Sequence, residues 1–295
     1  MRWLFTGIVI GFAAFQLRTA DIRGFKLEDS IVVSASQPEQ APAIDDEPVA
    51  EQGSSAEAVA PAAPATVPDE NLAEYRIIDG LAVAYGDLII GQRAKGSAAT
   101  RGWHPIPVPQ LWPSPVIPFH VDPALPDPER VHRALALLQQ TTVLQFVPYA
   151  GTGDGVAFLP GTEHCLATLG RLGGLQPVKL AAGCGTGEVV HEILHVLGFF
   201  HEQSRSDRDR FIDVIWENID EEYRGQFGVV PDSFMSPVRD SPFDFRSIML
   251  YRADTFARQP GLSTFRSRDP EQAVAPMTDG PSVEDVRRVN RLFGQ

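Results

Sequence analysis

Three closely spaced histidines are the residues of this chain best suited to chemistry. His191 and His195 lie four positions apart, and His201 follows them. On a helix of about 3.6 residues per turn, the first two imidazoles lie on the same face. Gly198 can end that helix, because glycine tolerates a left-handed conformation, and the chain can then return His201 to the same point. Three neutral imidazoles with an open fourth position are typical of a catalytic zinc site.

The full motif is more specific than a pair of histidines, which also occurs on solvated helix faces. The pattern H-E-x-x-H-x-x-G-x-x-H, which starts at His191, fixes five positions within eleven residues. It matches the metzincin signature, in which a Met-turn follows further along the chain. The segment S-I-M-L-Y supplies Met249, which can pack beneath the histidines. An isolated methionine would more simply be a core residue.

The residues after the motif resemble the astacin family of zinc endopeptidases. The run H-E-Q-S-R-S-D-R-D, which starts at His201, carries the resemblance, together with the S-I-M-x-Y segment. A weaker likeness extends from about Leu111 to the C-terminus. The family usually has histidine where this chain has Leu250. The resemblance implies an endopeptidase that binds protein or peptide substrates in extended form.

Each site residue then has an expected role. His191, His195 and His201 are expected to hold one zinc ion per chain. Glu192 follows the first ligand directly, so it can accept a proton from the activated water and pass it to the leaving amine. The resemblance alone implies that Tyr251 is a loosely held fifth ligand that stabilises the oxyanion.

A second motif predicts latency. The segment Y-G-D-L-I, which includes Asp87, resembles the F-x-G-D-I motif of astacin propeptides. In those precursors the aspartate binds the zinc and displaces the catalytic water, so Asp87 is the predicted zymogen switch. Without this resemblance, residues 77–91 would be predicted to form a strand with a Gly-Asp turn.

The expected cleavage region follows that motif. Basic residues lie among small residues in the segment 92–110, which suits removal of a propeptide by an activating protease. The mature N-terminus is therefore expected near residues 94–104. In the family this terminus lies close to the glutamate after the third histidine, which is Glu202 here.

The amino-acid composition changes along the chain and indicates where its parts begin and end. Residues 1–20 have a basic start and an apolar run, which predict a signal peptide or an uncleaved signal anchor, and hence a secreted, extracellular or periplasmic protein. Residues 34–74 are rich in Ala, Pro and acidic groups, so this linker is expected to be disordered. We assign residues 21–100 to a propeptide and 101–295 to the peptidase domain.

The net charge of −13 argues against nucleic acid as a partner.

The resemblance implies an α+β fold with two lobes. The upper lobe is expected to hold a twisted mixed β-sheet and helices, including the zinc helix, and the lower lobe to be largely irregular with a C-terminal helix. In residues 127–140 the spacing of apolar residues predicts a helix capped by Asp127 with Pro128 at its first position. Other expected elements are strands at 144–148, 156–159 and 211–216, and helices at 217–227 and 281–293.

The two cysteines predict a disulfide. Cys165 and Cys184 are the only pair in a chain that is expected to be exported, and they resemble the inner disulfide of the astacin domain. The nearby segment 170–175 resembles the region of the cleft-side edge strand. An exposed edge can bind an extended peptide as an additional strand.

Other functions stay open at this point. One alternative is a secreted binding or adhesion module with a structural zinc, and another is an inactive pseudoprotease. A different metzincin branch is the nearest rival within the class. The family often prefers acidic residues just after the scissile bond, and Arg252, Arg266 and Arg268 are all candidates for the basic residue of that pocket.

Overall fold

A computed structural model describes residues 32–33, 72–93, 95–106 and 108–294 of the chain. The predicted signal segment 1–20 and most of the linker 34–74 lie outside the described residues. Among the residues described, no helix has the length and apolar character needed to span a membrane.

The bounds of the regular elements are as follows. The strands are β1 (Val32–Val33), β2 (Leu72–Ile78), β3 (Leu81–Ala84), β4 (Leu88–Arg93), β5 (Arg101–Pro105), β6 (Val116–Val121), β7 (Gln145–Pro148), β8 (Gly155–Pro160), β9 (Cys165–Thr168), β10 (Leu175–Leu180), β11 (Ile212–Val214) and β12 (Phe265–Ser267). The α-helices are α1 (Glu129–Thr141), α2 (Thr186–Val196) and α3 (Val283–Leu292).

A mixed sheet forms the upper part of the molecule. Its strands lie in the order β5-β2-β3-β4-β9-β10-β8-β6-β7, with β1 beside β4. Strands β7, β6, β8 and β10 run parallel to one another, whereas β9 runs antiparallel to β10. Beyond α2 the chain has short 3₁₀ turns, the small β11·β12 sheet and finally α3. This arrangement confirms the predicted α+β class.

Helices α1 and α2 build the core next to this sheet. The predicted apolar face of α1 is buried at Val131, Ala134, Leu135 and Leu138. Complete burial of one such leucine or valine side chain contributes about 2 kcal/mol. Arg130, on the same helix, donates hydrogen bonds to carbonyl oxygens of the turn before α2, at Ala181 and Cys184. Helix α1 therefore fixes the start of the histidine-bearing helix.

The start of α1 differs from the prediction. Pro128 is the N-cap residue, and no side chain caps the helix, so Asp127 does not have the predicted capping role. Asp127 instead has a φ of 45°. This left-handed conformation, which aspartate tolerates better than most residues, turns the chain immediately before the helix.

The predicted helix at 217–227 is also wrong. Two separate 3₁₀ segments, Trp216–Asn218 and Glu221–Phe227, take its place. Between them, Ile219 forms a β-bridge with Ala257, which interrupts helical hydrogen bonding. The Asp220 side chain then accepts a hydrogen bond from the backbone nitrogen of Glu222 and begins the second segment.

Strands β2, β3 and β4 form an antiparallel unit, here called the N-terminal meander (residues 72–93). Its first strand begins at Leu72, so residues 72–74 belong to a strand and not to the disordered linker that composition predicted. The side chains of Ala73 and Tyr75 are buried, which explains why this end of the acidic segment is ordered. The meander joins the main sheet through β4, where Leu88 and Ile89 pair with Ala167 and Thr168 of β9.

Candidate metal centre

Helix α2 positions the first two histidines of the motif. The helix begins after Gly185, whose backbone nitrogen donates to the Glu188 carboxylate at 2.9 Å. His191 and His195 lie one turn apart, with ring centroids separated by 4.7 Å. Gly198 has a φ of 103° and donates its N–H to the carbonyl oxygen of His195 at 2.8 Å, as a helix-ending glycine does.

The return of the chain after Gly198 completes a cluster with four members. The side chains of Asp87, His191, His195 and His201 place one potential ligand atom each within 4.8 Å of one another. The Nε2 atoms of His191 and His201 are 3.1 Å apart, and each His Nε2 lies 3.2–3.3 Å from an oxygen of Asp87. Tetrahedral zinc with bonds of about 2.0–2.1 Å requires ligand atoms about 3.3 Å apart, so the donor set fits zinc.

Hydrogen bonds set which ring nitrogen faces the cluster. His191 donates its Nδ1–H to the Ile248 carbonyl oxygen at 2.8 Å, and His195 donates its Nδ1–H to Phe199 at 2.7 Å. Each Nε2 therefore carries the lone pair that a metal needs. The Nε2 of His195 is buried without a hydrogen-bond partner among the described residues, which a bound ion would provide.

Burial and Asp87 control the charges of the histidines. Burial lowers the pKa of His195 to about 4 and also lowers the pKa of His201, so both rings are neutral near pH 7. Burial lowers the pKa of His191 as well, but the hydrogen bond and charge of Asp87, with smaller contributions from Ile248 and Asp285, together outweigh burial and raise the pKa. Burial raises the pKa of Asp87, but His201 and His195 hold it well below its usual value.

Glu192 lies in the same cleft as the cluster. Its side chain is 1% exposed, and its Oε2 has no hydrogen-bond partner among the described residues. Burial, followed by the charges of Asp87 and Glu188, raises the pKa of Glu192 well above its ordinary value. The cleft has a volume of about 310 Å³, and Glu192, Asp87, Tyr251 and Arg252 are among the residues that line it.

The segment of Met249 and Tyr251 packs next to the third histidine of the cluster. Met249 is buried in the main core, and its carbonyl oxygen accepts the N–H of Glu202 at 2.8 Å. The Tyr251 ring lies 4.6 Å from the His201 ring, between centroids. Its hydroxyl donates to the carbonyl oxygen of Tyr85 at 2.5 Å. Burial raises the pKa of Tyr251 well above its ordinary value, so the hydroxyl keeps its proton.

The turn between β3 and β4 carries Asp87 into the cluster. Gly86 precedes it with a φ of 94°, and a Cβ atom there would lie 2.5 Å from the Tyr251 hydroxyl oxygen. Asp87 is also held by its backbone, because its carbonyl oxygen accepts the N–H of Ala167 at 3.1 Å. The two sequence motifs, far apart in the chain, therefore meet at one point.

The structure also describes the predicted disulfide cysteines and the three candidate arginines of the specificity pocket. Cys165 and Cys184 form the predicted disulfide, with their Cα atoms 6.0 Å apart. Arg252 lines the cleft, whereas Arg266 and Arg268 both pair with Asp213 of β11.

The buried carboxylate of Glu202 has two cationic partners that the sequence analysis missed, and it also accepts the backbone N–H of Asp244. The same carboxylate accepts hydrogen bonds from Arg205 and from Arg288 of α3. The S-x-x-D pattern that starts at Ser282 resembles a capping box and predicts the start of α3, but it does not identify Arg288 as a partner of Glu202.

The peptidase region matches one family over most of its length. Residues 107–294, more than half of the chain, match the peptidase family described as Astacin. The chain belongs to the astacin family. Zinc is therefore the metal expected at the cluster, and the three imidazoles provide the donors for it.

Individual astacin relatives agree with this membership. The zinc metalloproteinase nas-7 of Caenorhabditis elegans is 33% identical over 187 residues, which are 62% of this chain and 48% of that protein. The zinc metalloproteinase dpy-31 of Teladorsagia circumcincta is 37% identical over 170 residues, which are 55% of this chain and 27% of that protein. The chain thus spans about half the length, or less, of these curated relatives.

A solved astacin structure is also similar. High choriolytic enzyme 1, a hatching enzyme zinc-protease from the medaka fish Oryzias latipes, is 29% identical with a TM-score of 0.55. The match covers 60% of this chain and 88% of that one. This similarity supports the predicted fold class.

Proposed function

We propose that this chain is an exported zinc endopeptidase that is made as a latent precursor. The observation that carries the proposal is that Asp87 and His191 of the metal cluster line one cleft together with the buried Glu192. Cys165 of strand β9 lines the same cleft. Both the metal donors and a proton acceptor are thus present where a peptide strand can bind.

His191, His195 and His201 hold the metal in this proposal, one ion per chain. When bound, zinc polarises a carbonyl group and lowers the pKa of a water molecule to about 7. Glu192 takes the proton of the attacking water and delivers it to the leaving amine. Burial is the largest cause that raises the pKa of Glu192 above its ordinary value, which favours its role as a proton acceptor.

Tyr251 and strand β9 position the substrate. The hydroxyl of Tyr251 keeps its proton and can donate a hydrogen bond to the developing oxyanion once the contact with Tyr85 is removed. Once β4 has left, the free edge of β9 can bind an extended peptide through main-chain hydrogen bonds. Arg252, on the cleft wall, is the residue that we assign to recognition of acidic side chains after the scissile bond.

Latency in this proposal depends on the N-terminal meander. Asp87 occupies the centre of the histidine cluster, and β4 pairs with the β9 edge that a substrate would use. The meander also contacts the lower part of the molecule, where Arg76 pairs with Glu222 at 3.3 Å and lies 4.8 Å from the Tyr223 ring centroid. An activating protease must therefore act before substrates can enter.

Export and N-terminal binding complete the proposal. The signal-like segment 1–20 and the disulfide between Cys165 and Cys184 support an oxidising compartment outside the cytosol. The binding of a newly formed N-terminus near Glu202 stays a prediction, because the described chain is uncut and Glu202 pairs with arginines in it.

The test uses the full-length protein and Glu192→Gln, both treated with trypsin until no fragment of the meander remains. After trypsin is inhibited, the treated wild type is expected to cleave casein, and a zinc chelator should abolish the cleavage. Glu192→Gln should lose about 10²- to 10⁴-fold in rate, because it cannot accept a proton, while it still binds one zinc. A zinc-loaded, folded wild type that cleaves no member of a peptide library would contradict the proposal.

A further inference from the structure

Helix α3 carries two buried charged residues on the face that points towards the metal centre. Asp285 and Arg288 are 2% and 1% exposed, and they lie three positions apart, on one side of the helix. Asp285 accepts a hydrogen bond from Ile248, whose carbonyl oxygen contacts His191. Arg288 donates to Glu202, which follows His201 in the chain. Neither residue lines the cleft, so any effect on the centre must pass through other residues.

Asp285 connects α3 to His191. Its Oδ2 accepts the backbone N–H of Ile248 at 2.9 Å, and its Oδ1 accepts the hydroxyl of Ser247 at 2.7 Å. The carbonyl oxygen of Ile248 in turn accepts the Nδ1–H of His191 at 2.8 Å. The acceptor that sets the tautomer and the ring plane of His191 is thus held in place by α3.

Arg288 connects α3 to His201. Its two terminal nitrogens each donate to the carboxylate of Glu202 at 2.9 Å, and its Nε donates to Ser241 at 2.9 Å. Glu202 directly follows His201 in the chain, and its backbone nitrogen donates to Met249. The guanidinium therefore clamps the residue next to a metal ligand through a bidentate ion pair.

His201 depends on such a clamp more than the other two histidines do. His191 and His195 donate their Nδ1–H groups to backbone carbonyl oxygens, which fix their rings. The buried Nδ1 of His201 has no hydrogen-bond partner in the described part of the chain. Besides its contacts within the cluster, its orientation depends on ring packing against Tyr251 and on the backbone on either side, which includes Glu202.

We propose that Asp285 and Arg288 are positioning residues for the metal centre, with Arg288 fixing His201 through Glu202 and Asp285 fixing His191 through Ile248. The inference rests on the proposed zinc site. Residues beyond the ligands commonly control metal affinity in this way, and their loss costs about 10- to 100-fold in affinity or activity. The C-terminal helix is thereby a component of the metal centre that lies outside the histidine motif.

The experiment measures zinc affinity of the full-length chain by competition with a chelator, together with the visible absorption spectrum of the cobalt-substituted protein. Arg288→Met is expected to weaken zinc binding by about 10- to 100-fold and to change the cobalt spectrum. Arg288→Lys keeps the charge but loses the two-pronged geometry, so its affinity should lie between those of Arg288→Met and the wild type. The matched control is Arg287→Met, at a neighbouring side chain that is 72% exposed, and it should bind zinc like the wild type.

A second variant separates positioning from folding. Arg288→Met leaves Glu202 with one fewer cationic partner in a buried site, which is costly, whereas Glu202→Gln combined with Arg288→Met removes both charges. The double variant is expected to fold and to bind zinc as weakly as Arg288→Met. Wild-type affinity and an unchanged cobalt spectrum in a folded variant would overturn the proposal, as would a double variant that fails to fold. A wild-type chain that binds no zinc would instead refute the proposed function.

Discussion

At the scale of single residues, Arg252 offers a test of substrate preference. It lines the cleft of Glu192, and its partner Asp254 neutralises only part of its charge because both side chains are more than half exposed. Because ion pairs of exposed side chains are weak, Arg252→Gln should lower kcat/KM by no more than about fivefold for peptides with Asp or Glu after the scissile bond.

Peptides with a neutral residue at that position separate this effect from general damage. Their kcat/KM should be unchanged in Arg252→Gln, and added salt should reduce the difference for acidic peptides in the wild type. Arg266→Gln is the matched control, because Arg266 pairs with Asp213 outside the cleft. An equal loss on neutral and acidic peptides would refute the assignment of Arg252.

Gly86 offers a residue-scale test of latency. A methyl group at this position would collide with the Tyr251 hydroxyl, 2.5 Å away, and strain a backbone with a φ of 94°. Gly86→Ala should therefore push the turn that carries Asp87 away from the cluster, and the uncut chain should cleave casein measurably. Gly80→Ala is the control, since Gly80 also has a positive φ but no atom within 4 Å of the added Cβ. If neither uncut variant cleaves casein, the result would count against the meander as the inhibitory element.

At the scale of elements, the disulfide ties strand β9 to the turn before α2. The two cysteines are 19 positions apart. In the chain-entropy model, a loop of this size contributes about 3 kcal/mol. Replacement of Cys165 and Cys184 together by alanine should lower the free energy of unfolding by about this amount, which denaturant titration measures. A reductant should destabilise the wild type and leave the double variant unchanged. A double variant with wild-type stability would contradict the role of the disulfide as a stabilising link.

Elements with strong local signals were predictable from the sequence. The apolar spacing of α1 and the histidine motif of α2 encode those helices directly, and a five-position motif suffices to bring the imidazoles together. The prediction of a helix at 217–227 failed because the decisive contact, the bridge between Ile219 and Ala257, joins residues far apart in the chain.

The same reason explains what was missed around Glu202. Its pairing with Arg288 joins positions 86 residues apart, and no local pattern specifies such a pair. The resemblance suggested an N-terminal amino group as the partner of Glu202, whereas the uncut chain satisfies this carboxylate with two arginines. Long-range ion pairs of this kind become visible only when the elements are packed.

At the scale of the whole molecule, the predicted cleavage region links the two parts that would separate if the chain is activated as proposed. Residues 95–100 lie between β4 of the meander and β5, and most of them are exposed. Strand β5 nevertheless pairs with β2, from Leu72 opposite Pro105 to Arg76 opposite Arg101. The meander is also held by β9, by the cluster around Asp87 and by the contacts of Arg76 with Glu222 and Tyr223. One cut therefore removes a covalent bond but none of these contacts.

We expect a single cut after Arg93 or Lys95 to leave the meander bound and the protein latent. Brief trypsin treatment should give two fragments on a denaturing gel, while native size-exclusion chromatography should show one species that does not cleave casein. Mild denaturant, or a second cut within the meander, should release the inhibitory fragment and start cleavage, because the remaining contacts are non-covalent. Arg76→Gln, which removes the contacts with Glu222 and Tyr223, should release the fragment faster after the same cut. Immediate activity and separate elution of the fragments in the wild type would show instead that the covalent connection alone maintains latency.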